Sequence, residues 1–172
     1  MATSAPNQPA PIAPATSPAS LLTLGLFLIV VVGGGIAIGA MTPPGEWYAN
    51  LTKPPFNPPA WVFAPVWTTL YIFIAVAGWR ILRREPSGWA MRFWGLQLVF
   101  NFLWSPVFFA AHRMDVGLVV SALMFASILG FIQQAGKIDP VARLLFLPYA
   151  AWISFATLLN ASLLMLNGPT GQ

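Results

Sequence analysis

Apolar residues run almost unbroken through five stretches of this chain, about 20–41, 60–82, 89–111, 116–135 and 141–166, and polar residues gather in the gaps between them. A bilayer core of about 30 Å needs about 20 helical residues to cross it, so each stretch is predicted to span a membrane as a helix. The connectors are 42–59 and then the short turns 83–88, 112–115 and 136–140. Connectors that short join antiparallel neighbours. The predicted fold class is therefore all-α, an integral membrane bundle of five transmembrane helices built from residues 20–172. No internal repeat is evident. Residues 1–19, with five prolines, six alanines and no charged side chain, bury too little apolar area to order themselves and read as a disordered tail. They lack the basic start of a cleaved leader, and the run 21–41 is long enough to stay as a span.

The first connector differs from the others. Pro54, Pro55, Pro58 and Pro59 precede the second span, and Trp47, Tyr48, Phe56, Trp61 and Phe63 are interleaved with them. Each proline fixes its own φ and pushes the preceding residue toward extended backbone. The connector is expected to be a stiff aromatic lid over one end of the bundle, with a ligand site beneath it.

Composition confirms the class: 58% of residues are hydrophobic and 7% charged, against about 25% charged in a soluble domain. Net charge is +4, but the basic residues sit singly at span ends, so they indicate topology and contact with anionic headgroups rather than nucleic acid. Of the eight cations, Arg80, Arg83, Arg84, Arg92, Lys137 and Arg143 share the side of the N-terminus, and only Lys53 and Arg113 lie opposite. For an inner membrane this predicts a cytoplasmic N-terminus and an outward-facing lid. The absence of cysteine excludes disulfides and thiolate metal sites.

No charged residue falls in the middle of a span, which disfavours ion-coupled transport. Nor is there a Ser/His/Asp set, carboxylate pair or phosphate loop, so conventional catalysis has no candidate residues and no metal site is expected. The single histidine, His112, lies in a turn, where a solvated role outweighs axial ligation of a metallated porphyrin. What remains is aromatic and amide chemistry at helical spacing. Trp94, Gln97, Asn101 and Trp104 form one stripe, Phe63, Trp67, Tyr71, Ile74 and Gly78 a second, and Tyr149, Trp152, Ala156 and Asn160 a third. Converging under the lid, such faces would make an apolar pocket with a few polar tips. Interhelical packing glued by amides is the competing reading, and an interfacial belt accounts for Trp47, Trp61 and Trp89. Gly35 with Gly39, and Ala122 with Ala126 and Gly130, are spaced for close helix contact, either within one bundle or between two copies.

These residues resemble the translocator protein family, whose bacterial members are tryptophan-rich sensory proteins. The likeness rests on Glu46-Trp47-Tyr48, Lys53-Pro54, Pro58-Pro59, Trp61-Val62-Phe63, Pro65, Trp67 and Leu70-Tyr71, on Gln97, Asn101, Trp104 and Pro106, and on Pro148-Tyr149, Trp152, Phe155-Ala156-Thr157 and Leu159-Asn160. It implies a five-helix bundle, commonly dimeric, with no obligatory cofactor, that binds porphyrins, haem and other planar hydrophobic ligands under the first loop. Trp67 and Trp152 match the family's pocket tryptophans, and Asn101, Trp104 and Ala156 match other lining positions. The candidate ligand contacts are thus Trp47, Phe56, Trp61, Phe63, Trp67, Tyr71, Gln97, Asn101, Trp104, Tyr149, Trp152 and Ala156. The sterol pattern of animal members fails here, because Asn160 is followed by Ala161 and no basic residue follows Arg143, which makes cholesterol a doubtful ligand. The expected function is a tetrapyrrole receptor or sensor. Light-dependent porphyrin breakdown using Trp67 and Trp152, or tetrapyrrole or lipid transport, are the alternatives.

Overall fold

A computed structural model describes residues 15–171, and most of the predicted tail lies outside them. Among the described residues there are helices and turns but no strands, and five helices are long and apolar enough to cross a membrane: Pro18–Met41, Ala60–Leu82, Trp89–Ala110, Met114–Ala135 and Pro140–Asn167. This is an integral, multi-pass membrane bundle. Helix α1 (Pro18–Leu28) starts earlier than expected, because Ser17 caps it with its hydroxyl and Pro18 sits at a position where no amide is required. A π-helical turn, Ile29–Gly33, separates it from α2 (Gly34–Met41), which completes the first span.

The lid contains an element absent from the sequence reading, the short helix α3 (Gly45–Asn50). Gly45 enters it at φ 62°, a conformation that disfavours any side chain. From Leu51 to Pro59 the proline-rich chain is non-helical, and the single turn Ala60–Val62 leads into α4 (Phe63–Leu82). Helix α5 (Trp89–Ser105) ends at Pro106, which has no amide to donate, and the span continues as a π turn, Pro106–Ala110. Helices α6 (Met114–Ala135) and α7 (Pro140–Asn167) follow.

Around the bundle, α1 packs on α4, α4 on α7, α7 on α6 and α6 on α5, and α5 closes the ring against α2 and α4. The third and fourth spans, and the fourth and fifth, are antiparallel neighbours as the short turns require, whereas the second and fifth meet without being consecutive. The half of the bundle remote from the lid is solid. Ile74, Ile81, Ile128, Phe131 and Phe146 are fully buried there, with the Phe131 and Phe146 rings 3.9 Å apart. Asp139 clasps this end. It caps α7 by accepting from the amides of Val141 at 2.9 Å and Ala142 at 3.2 Å, and it pairs with Arg80 on α4 at 2.8 Å and with Arg84 in the turn after α4 at 2.6 Å. Burial pushes its carboxyl up, but the Arg80 hydrogen bond, the Ala142 amide and the two guanidinium charges outweigh burial and hold it below the ordinary carboxylate value.

The small-residue motifs turn out to serve different surfaces. A methyl on Gly35 would run into the Tyr71 ring, and one on Gly130 into the Phe93 ring, so both pack inside the bundle. Gly39 has open space beside it, while Ala122 and Ala126 face outward.

Candidate functional site

Toward the lid the packing opens into a cavity of about 620 Å³ that all five spans and the lid help to line. It lies between the main core and a second apolar cluster of Leu51, Phe108, Met114, Leu159 and Leu163, on which Trp47, Tyr48 and Trp104 pack. The first span contributes Gly35, Ile38 and Gly39, its two glycines leaving the space open, and Thr42 follows at its end. Across from them stand Phe63, Trp67 and Tyr71 of α4, one helical turn apart on one face. The Trp67 and Tyr71 rings lie 5.2 Å apart. The third span supplies Asn101, Trp104 and Ser105, with Phe108 and Phe109 from its π turn, and the Trp104 ring stacks on Phe108 at 4.7 Å. Met124 and Ser121 on α6 and Ala156 and Asn160 on α7 complete the wall.

Polar groups in this wall are tied to one another. Tyr71 donates its hydroxyl to Asn101 Oδ1 at 3.2 Å, and Asn101 Nδ2 donates to the buried Tyr149 oxygen at 2.8 Å. Trp104 Nε1 donates to Asn160 Oδ1 at 3.3 Å, and Asn160 Nδ2 to the Met114 carbonyl at 2.9 Å. Thr42 and Ser105 share a 2.7 Å hydroxyl contact that links the first and third spans at the cavity edge. The wall is therefore apolar and aromatic, with rigidly oriented amides, and it contains no acid, histidine or cysteine.

Of the residues predicted from the sequence, the structure gathers Phe63, Trp67, Tyr71, Asn101, Trp104 and Ala156 around this cavity. The other six lie elsewhere. Trp47 stacks flat on His112 at 4.3 Å and donates Nε1 to the Thr170 carbonyl at 2.9 Å, so it anchors the lid from its far side. Phe56 packs its edge on Phe155 and is 44% exposed, and Trp61 is 75% exposed, as befits an interfacial ring. Gln97, fully buried, donates to the Trp94 carbonyl at 2.9 Å, and its Oε1 has no partner among the described residues. Tyr149 does not line the cavity but backs three residues that do, Asn101, Met124 and Trp67. Trp152 lies behind Phe63, ring centres 5.8 Å apart, and faces an outer groove with Pro65, Thr69 and Pro148. Helical spacing put these side chains on the right helix faces but carried no information about depth.

Residues that sequence reasoning did not enter as contacts include Tyr48, Lys53 and Asn57 of the lid, Gly39, Ser105 and Asn160. Ser105 follows Asn101 by one helical turn, so the stripe already contained that signal. Tyr48 donates its hydroxyl to Asn57 Oδ1 at 3.1 Å, and burial raises its pKa. In the sequence Lys53 stands as a topology signal and as part of the Lys53-Pro54 likeness; its place on the cavity wall follows from the path of the lid after α3.

A sequence model described as the TspO/MBR family matches residues 26–166. The chain is 40% identical over 144 residues to the tryptophan-rich sensory protein of Cereibacter sphaeroides, covering 84% of this chain and 91% of that one. It is 34% identical over 152 residues to protein CrtK of Rhodobacter capsulatus, covering 86% and 94%. Similarity extends to the human translocator protein, 32% identical over 154 residues and covering 87% and 89%. With the helix order, the proline-rich lid and the matched span in agreement, this chain belongs to the TspO/MBR family.

Proposed function

We propose that the protein is a membrane receptor or sensor that binds tetrapyrroles, porphyrin or haem, in the cavity beneath the lid. The observation that carries this reading is the cavity itself: about 620 Å³, within the roughly 300–1,000 Å³ of small-molecule sites, with Trp67, Tyr71, Trp104 and Phe108 on its wall. Apolar burial and ring stacking against these side chains hold a planar macrocycle. The residues fit such a ring without ligating a central metal. No histidine or cysteine lines the space, and Met124 Sδ already accepts the Tyr149 hydroxyl at 3.1 Å. Free-base and metallated porphyrins should therefore bind with similar affinity.

Titration of the detergent-purified protein with protoporphyrin IX in the dark, followed by tryptophan fluorescence, tests the assignment. Saturable quenching is expected, with affinity reduced roughly tenfold or more in Trp67→Leu plus Trp104→Leu, since ring pairs contribute about 0.5–1.5 kcal/mol each beyond area burial. Unchanged affinity in that double variant would remove the cavity as the site. Two indoles on the cavity wall also favour a second reading, light-dependent oxidation of the bound porphyrin by dissolved oxygen. Illumination of the saturated complex would bleach the porphyrin spectrum if that reading holds, and would leave it as stable as in the dark if the protein only binds.

A further inference from the structure

Among the described residues, Lys53 is the one charged residue lining the cavity. Its ammonium donates to the carbonyls of Ala49 at 2.8 Å and Leu51 at 3.2 Å and lies 4.9 Å from the centre of the Tyr48 ring. Those contacts use two of its three N–H groups. Among the described residues it pairs with no carboxylate, and none of the lining side chains is acidic. A partly buried cation at the mouth of a low-dielectric cavity, with no counter-charge from its own chain, favours an anion in the ligand.

Hydrogen-bonding direction leads to the same end of the cavity. Deeper in, the hydroxyls of Tyr71 and Ser121 each lie within donating distance of a protein acceptor, at 3.2 and 2.9 Å, as does that of Thr42 at the cavity edge, at 2.8 Å. Trp67 Nε1 is a free donor there, but it is neutral. At the lid, Asn57 Nδ2 donates one hydrogen to the Pro58 carbonyl at 3.1 Å and keeps its second; Asn57 and Lys53 both contact Tyr48, through its hydroxyl and its ring, and both line the cavity. Resting on the tetrapyrrole reading and refining it, we infer that Lys53, with Asn57, is a carboxylate site, and that the ligand is an amphipathic planar acid bound with its rings deep and its carboxylate edge under the lid.

The test compares protoporphyrin IX with its dimethyl ester in neutral detergent at low salt, on wild type, Lys53→Met and Lys53→Arg, in the dark. A charge-assisted hydrogen bond corresponds to roughly tenfold in affinity. The expected result is a preference of about that size for the free acid in wild type, kept in Lys53→Arg, weakened by salt, and abolished in Lys53→Met, which still binds the ester as wild type does. Ester binding also shows that the variant has folded. Equal binding of acid and ester by wild type, or equal loss of both in Lys53→Met, would overturn the inference. Pyrenebutyrate and its methyl ester form a second pair without a tetrapyrrole. Lys53-dependent acid preference in this pair, with no porphyrin binding at all, would sink the tetrapyrrole reading and keep the anion site. No acid preference in either pair would end the inference on its own.

Discussion

Asn101 shows how much one side chain can carry in a membrane interior. Its amide oxygen takes the Tyr71 hydroxyl and its amide nitrogen serves Tyr149, so it joins the second, third and fifth spans at the cavity floor. Asn101→Leu leaves the Tyr71 hydroxyl without its acceptor and the Tyr149 oxygen without its donor, Tyr149 keeping only Met124 Sδ, and removing one member of a buried pair costs about 1–3 kcal/mol. Thermal unfolding in detergent is expected at a visibly lower temperature, and an unchanged midpoint would show that the phenols re-pair. Gly35 and Gly39 offer a sharper contrast because the sequence presents them as one motif. Gly35→Ala should be destabilising, since overpacking typically costs about 1–3 kcal/mol and its methyl meets the Tyr71 ring. Gly39→Ala, with nothing within 4 Å, should leave stability alone and remove cavity volume instead. Equal midpoints for the two variants would contradict that division.

Span limits were legible from hydropathy to within a few residues, because length and apolarity are what a bilayer selects. The two π turns were not, since Ile29–Gly33 and Pro106–Ala110 change hydrogen-bond register without changing hydropathy. Their effect is real: the second one sets the direction from which Phe108 and Phe109 enter the site. The polar ends of the helices carry a pH dependence. The Asp139 carboxyl is held below its ordinary value, so the stability it contributes is fully present above about pH 4 and is lost as pH falls through the depressed value. Wild type should lose thermal stability on acidification below about pH 4. Asp139→Asn, lacking the pairs to Arg80 and Arg84, should start lower at neutral pH and show a flatter acid limb. A parallel acid limb would mean that another carboxylate governs it.

For the whole molecule, the ring order of the spans could not be read from connector length, because the contact of α4 with α7 depends on matched faces rather than on sequence proximity. The stripes of the second and third spans face inward as read, and so do Tyr149, Ala156 and Asn160 of the fifth. Yet Gln97 and Tyr149 lie too deep to line the cavity, and Trp152 sits on the far side of Phe63, which only packing reveals. Orientation is testable because the chain lacks cysteine. Phe56→Cys in the lid should react with an impermeant maleimide from outside intact spheroplasts, and Lys137→Cys only after lysis. The reverse pattern would refute the charge-based topology. At the end of the fifth span, Asn167 grips Thr52 in both directions, accepting from its amide at 2.7 Å and donating to its carbonyl at 2.9 Å, while just beyond it Thr170 holds Trp47 and Pro169 accepts from Met114. The lid amide at Thr52 is thus held in a hydrogen bond by a side chain that does not itself line the cavity. Its hydrogen-exchange rate becomes a clock for lid opening, readable without any ligand and slowed by one that binds only the closed form.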